Sequence, residues 1–89
     1  MKDTLKLLVF GRTVVPRGMG YSDREHAHNG NCQIELILQG GAVLYTGRTP
    51  LSVESGDIVF IPPGIRHFFH YPGDNEMRSL TVQFIWHAT

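Results

Sequence analysis

The stretch Gly56-Asp-Ile-Val-Phe-Ile-Pro-Pro-Gly-Ile-Arg-His67 constrains the fold more than any other. The run Asp57 to Ile61 reads as a buried strand. It ends at Pro62-Pro63-Gly64, because two prolines remove backbone donors and Gly64 supplies a turn conformation. The chain must reverse there. It restarts as Arg66-His67-Phe68-Phe69-His70-Tyr71, where period-two geometry puts His67, Phe69 and Tyr71 on one face and Arg66, Phe68 and His70 on the other. One face thus carries a histidine among aromatics.

The remaining chain is punctuated in the same way. Leu5 to Val15, around Gly11, reads as one bent strand or two short ones closed by Pro16-Arg17-Gly18. Gly18-Met19-Gly20 is a loop. Tyr21 to His28 ends in His26-Ala27-His28, which puts both imidazoles on one side of a strand or about 200° apart on a helix. Asn29-Gly30-Asn31 is a turn signal, followed by an Ile- and Leu-rich strand from Cys32 to Gln39. Ala42 to Thr46 and Leu51 to Glu54 form a hairpin around Gly47-Arg48-Thr49-Pro50. Pro72-Gly73-Asp74-Asn75 then leads to Met77 to Trp86, where Leu80, Val82, Phe84 and Trp86 alternate with Ser79, Thr81, Gln83 and Ile85. About eight strands with no helical period predict an antiparallel sandwich or barrel.

Composition limits the function classes. The chain of 89 residues is one domain, 1–89. Lys plus Arg and Asp plus Glu each number eight, for a formal charge of zero. No basic stripe exists to release counterions from a phosphate backbone, so this chain alone is not expected to bind DNA. Cys32 is the single cysteine, which excludes an intrachain disulfide and fits a reducing, cytoplasmic setting. The start, Met1 to Phe10, does not read as a signal peptide, and no run of about eighteen apolar residues suggests a membrane helix.

Taken singly, His26, His28 and His67 read as solvated or half-buried turn residues. Their spacing changes that reading. Gly20-x5-His26-x-His28-x4-Gln33-x6-Gly40 resembles the first cupin motif, with glutamine where glutamate is usual. Gly56-x5-Pro62-x-Gly64-x2-His67-x3-Tyr71 resembles the second, with tyrosine in place of asparagine. The wording from Gln33 to Gly40, from Gly56 to His67 and from Leu80 to Phe84 is similar to the amino-terminal sensing domain of AraC-type transcription regulators.

The resemblance implies an all-β fold, a small antiparallel jelly-roll barrel, and an interior metal site built from His26, His28, Gln33 and His67. Neutral imidazoles suit Zn, Ni, Mn or Fe, so a divalent metal is the one cofactor the family suggests. Gln33 offers a neutral carbonyl where a carboxylate would bring charge, which lowers the expected affinity. Glu35, two residues on, shares the strand face of Gln33; it reads either as a carboxylate recruited to the metal, in a register that breaks the family spacing, or as a pocket or edge carboxylate with no metal.

Two functions follow. The first is an effector-sensing and dimerisation module that binds a small metabolite, such as a sugar, in the barrel. A helix-turn-helix domain normally follows in that family, so the chain reads as part of a longer regulator that meets DNA through a missing C-terminal domain. Candidate contacts are the aromatics Tyr45, Phe69, Tyr71 and Trp86 with Arg12, Glu35 and Gln33. The second is a stand-alone metal-dependent cupin enzyme, a dioxygenase or isomerase. The apolar face Leu80, Val82, Phe84 and Trp86, with Leu5 to Phe10, exceeds what so small a barrel buries and predicts a homodimer.

Overall fold

The computed structural model describes residues 3 to 88; Met1, Lys2 and Thr89, the ends of the expected domain, lie outside the described residues. Eight strands follow in order: β1 Asp3–Val15, β2 Tyr21–Ser22, β3 Cys32–Gln39, β4 Gly41–Thr46, β5 Thr49–Glu54, β6 Ile58–Ile61, β7 His67–Tyr71 and β8 Met77–Ala88. They form two four-stranded antiparallel sheets, β1-β8-β3-β6 and β2-β7-β4-β5, which face each other as the small jelly-roll the motifs implied.

The turn chemistry accounts for the reversals. Gly64, after the two prolines, has φ 79°, a conformation that costs glycine nothing. Gly40 has φ 71°, and a Cβ there would meet the Glu76 carbonyl oxygen, so only glycine closes the β3–β4 corner. The β4–β5 hairpin is tighter than the sequence suggests: Thr46 pairs with Thr49 and Tyr45 with Pro50, leaving Gly47 and Arg48 as the turn. Pro50 is accommodated because β5 is an edge strand with no ladder to donate to on its open side. β1 is one strand, and its irregularity lies between Leu7 and Val9 rather than at Gly11, which pairs in register with Thr81.

The space between the sheets changes character along its length. At one end Val15, Ile37, Met77, Leu44 and Val53 pack as an apolar core. Burying each such side chain contributes about 1.5–3 kcal/mol. Towards the other end the inward positions of β3 and β8 are polar: Glu35 pairs with Thr81 and Gln33 with Gln83. Leu80 and Val82 of β8 take the outward parity. Val82 lies in a rung with Phe10, Ile34 and Phe60, and Leu80 in one with Arg12, Leu36 and Ile58. Phe10 and Ile58 are 66% and 69% exposed. At this end β3 and β8 are polar on their inward face and apolar on their outward face. Cys32 is a free thiol, buried opposite Phe84.

Candidate metal and ligand site

The histidines are gathered by backbone hydrogen bonds. After β2 the chain runs beside β7 as a broken extension of the strand: Asp23 N donates to Phe69 O at 2.8 Å and Phe69 N to Asp23 Oδ2 at 3.4 Å. His26 and His67 form an isolated antiparallel bridge. Gly64 N donates to His28 O at 2.8 Å, which fastens the histidine segment to the Pro-Pro-Gly turn. The ring centroids of His26 and His67 are 4.4 Å apart, of His26 and His28 4.9 Å, and of His28 and His67 5.3 Å. One nitrogen from each ring lies within 4.8 Å of the others. The segment is neither regular strand nor helix, yet its extended backbone sends both side chains to the same side.

Two of the tautomers follow from their partners. His26 Nδ1 is 2.7 Å from Arg24 O and His67 Nδ1 is 2.9 Å from Ile65 O. A carbonyl only accepts, so each Nδ1 carries a proton, and in the neutral ring Nε2 is the nitrogen that presents a lone pair. His67 is 1% exposed. Burial lowers its pKa; the Ile65 carbonyl opposes that, and the neighbouring His26 and His28 reinforce it. It is held as the neutral base, the form that ligates a metal.

Among the described residues, three buried side-chain polar atoms have no hydrogen-bond partner: His28 Nε2, His67 Nε2 and Gln33 Oε1. Each such atom costs about 1–3 kcal/mol unless something meets it. The three imidazoles offer lone pairs in one place, where a water can donate only two hydrogens and a cation can be shared by all three. The donor set therefore fits a divalent ion held by His26, His28 and His67.

Beside the histidines is a cavity of about 210 Å³, room for roughly seven waters at liquid density. Thr13, Gln33, Glu35, Thr81 and Gln83 line it from the first sheet, Tyr21, Phe69 and Tyr71 from the second, with Asp23 and His26 from the connecting segment. Tyr21 and Tyr71 rings are 5.0 Å apart. Burial raises the pKa of Tyr71, and the carboxylates of Asp23 and Glu35 add to it, so the phenol stays a neutral hydrogen-bond donor. Among the described residues the lining carries two carboxylates and no lysine or arginine.

Of the residues singled out from sequence, His26, His28 and His67 meet, and Gln33, Glu35, Phe69 and Tyr71 reach the cavity. Arg12, Tyr45 and Trp86, expected as ligand contacts, do not line it. Arg12 is exposed on β1 in the outward-facing rung with Leu80. Tyr45 stacks on Phe68 at 4.8 Å, because the inward parity of those strands belongs to Leu44 and Phe69. Trp86 pairs with Leu5 and is 57% exposed. Sequence reading missed Thr13, Tyr21, Asp23, Thr81 and Gln83. Alternation in β8 marked Thr81 and Gln83 as one face without saying that this face turns inward. Asp23 lies outside any regular strand and left no periodic signal.

A family model described as the AraC-like ligand binding domain matches residues 14–85. Among solved structures, a predicted oxalate decarboxylase from Thermotoga maritima superposes with TM-score 0.80 at 28% identity, covering 90% of this chain and 68% of that one. A cupin superfamily protein from Desulfitobacterium hafniense gives TM-score 0.72 at 20% identity, covering 94% and 78%. A Cupin 2 conserved barrel domain protein from Salinispora arenicola gives 0.71 at 24%, covering 93% and 75%. No curated protein matches.

Proposed function

Since the chain belongs to the AraC-like ligand binding domain family, a family of small-molecule-binding cupin barrels, we propose that it is the effector-sensing and dimerisation module of a transcription regulator. On this reading it is a single cupin domain of a longer cytoplasmic protein that contacts DNA through a separate helix-turn-helix domain. The observation that carries the reading is the cavity lining: hydroxyls, amides and aromatic faces, with the carboxylates of Asp23 and Glu35 and no cation. Carboxylates and amides bind hydroxyl hydrogens and oxygens, and aromatic faces pack on C–H surfaces. With no metal on the histidines, the net-negative, partly desolvated pocket penalises an anion. The effector is therefore a neutral, hydroxyl-rich metabolite of sugar size.

A thermal-shift comparison of neutral sugars and polyols against dicarboxylates, oxalate included, tests this. A ligand at one hundred times its dissociation constant stabilises by about 2.7 kcal/mol, a shift on the order of 10 °C for so small a domain. A shift with oxalate and none with any neutral polyol would overturn the reading.

The second copy docks on the outer face of the β1-β8-β3-β6 sheet. The rung Phe10, Val82, Ile34 and Phe60 is apolar across four strands, and the zero net charge leaves no repulsion between copies.

The second reading, a metal-dependent cupin enzyme, rests on the unpartnered imidazole nitrogens. His26, His28 and His67 would hold the ion, with Gln33 as a fourth donor. A bound zinc, nickel, manganese or iron would act as a Lewis acid there, and Tyr71 would supply a neutral hydrogen-bond donor beside it. Elemental mass spectrometry separates the readings: near-stoichiometric iron, manganese or nickel surviving dialysis supports the enzyme, and substoichiometric metal supports the sensor.

A further inference from the structure

We infer that Glu35 is a positioning residue for the metal site: it turns the Gln33 carbonyl oxygen toward the three histidines and supplies the missing negative charge through the Gln33 amide. The inference rests on the histidine site holding an ion. Gln33 Nε2 donates to Glu35 Oε2 at 3.0 Å. Glu35 is in turn held from β8. Ser79 Oγ donates to Oε1 at 2.8 Å, and Thr81 Oγ1 reaches Oε1 at 2.9 Å and Oε2 at 2.8 Å. Gln33 is 6% exposed, Glu35 4% and Ser79 1%, and Thr81 is half-buried.

The orientation of the amide follows from chemistry. A carboxylate accepts and does not donate, so the NH2 of Gln33 must face Glu35, and the carbonyl oxygen must face away from it. That oxygen, Gln33 Oε1, is buried without a partner, as are the Nε2 atoms of His28 and His67. The family's carboxylate is thus replaced by two side chains in series, a neutral oxygen in front and the anion two residues along β3. The carboxylate polarises the amide and raises the basicity of its oxygen, as carboxylates behind metal-bound histidines do. Three imidazoles and one amide oxygen, with no carboxylate in direct contact, favour nitrogen-preferring divalent ions such as Zn2+, Ni2+ or Co2+ over Mg2+ or Ca2+.

The geometry also alters what a single Gln33→Glu change would do. It would set two carboxylates about where the 3.0 Å hydrogen bond now stands, and like charges that close disfavour each other. Exchange of the two residues preserves the pair instead.

The test is calorimetric titration of the metal-free protein with Ni2+ and with Zn2+. Glu35→Gln removes the constraint on the amide and is expected to weaken binding about 10- to 100-fold. The exchange variant, Gln33→Glu with Glu35→Gln, restores a carboxylate–amide hydrogen bond and is expected to recover at least the wild-type affinity. A merely structural role predicts no such recovery in folded protein. Should Glu35→Gln fail to fold, Ser79→Ala and Thr81→Val loosen Glu35 while keeping its charge, and each is expected to weaken binding several-fold. Wild-type binding that His28→Ala abolishes but Glu35→Gln, or both hydroxyl variants, leave unchanged would overturn this inference alone. Wild-type protein that takes up neither ion would overturn the metal reading first.

Discussion

His26 and His67, forty-one positions apart in sequence, are hydrogen-bonded to each other twice through their backbones: His26 N donates to His67 O at 3.0 Å and His67 N to His26 O at 2.8 Å. The imidazoles are therefore brought together by main chain, and a side-chain truncation at either position leaves the scaffold in place. Each Nδ1 is also tied to a carbonyl two residues earlier in the chain, Arg24 O or Ile65 O.

If the histidine site holds an ion, His67→Ala should consequently remove it without unfolding the barrel. Loss of one of three nitrogen donors lowers affinity by at least 10-fold. The check is metal content after dialysis against weak chelator, with far-ultraviolet dichroism unchanged. Metal content equal to wild type would mean that the three rings do not share an ion.

The metal-free protein should lose stability in mild acid. His67 is buried as the neutral base with a lowered pKa. Between its unfolded value, about 6.5, and its lower folded value, the unfolded chain binds more protons, so stability falls as pH drops through that window. Urea midpoints at pH 7.5 and 5.5 measure it. The acid loss should shrink in His67→Gln; an equal loss in both proteins would remove His67 as the cause.

Thr81→Val should destabilise the domain although the two side chains are similar in size. Thr81 Oγ1 lies within 2.9 Å of both Glu35 oxygens, and the valine leaves a buried carboxylate short of a donor. The cost is about 1–3 kcal/mol. At roughly 4–8 °C per kcal/mol the melting temperature drops by several degrees or more. A change under 2 °C would indicate that water replaces the hydroxyl without cost.

Phe60→Asp should convert a dimer to a monomer at little cost to the fold. Phe60 is 52% exposed and pairs with Ile34 in the outward rung of β6, so the substitution charges the face without opening the core. Light scattering reads the mass. A wild-type monomer at high micromolar concentration would refute the docking surface, as would a Phe60→Asp dimer.

The Pro62-Pro63-Gly64 break, the turn glycines and the period-two runs are local features, and they located nearly every strand and the turns between them. The two gapped motifs likewise marked His26, His28 and His67. Alternation in β8 separated Ser79, Thr81 and Gln83 from Leu80, Val82 and Phe84, yet period two says only that two faces differ. It cannot say which one is inside.

That assignment came from closure of the barrel, which turned the polar face of β8 inward over the cavity and left Phe10, Val82, Ile34 and Phe60 outside. The same closure set Tyr45 and Trp86 outward and brought in Asp23 from an irregular segment. Sequence alone determined the strand pattern, the turns and the ligand-type residues, because those depend on each residue's own chemistry and its near neighbours. Tertiary structure alone decided that Gln33 answers to Glu35, and Glu35 to Ser79 and Thr81. A cross-strand partner is chosen by register and sheet order, which no local pattern encodes.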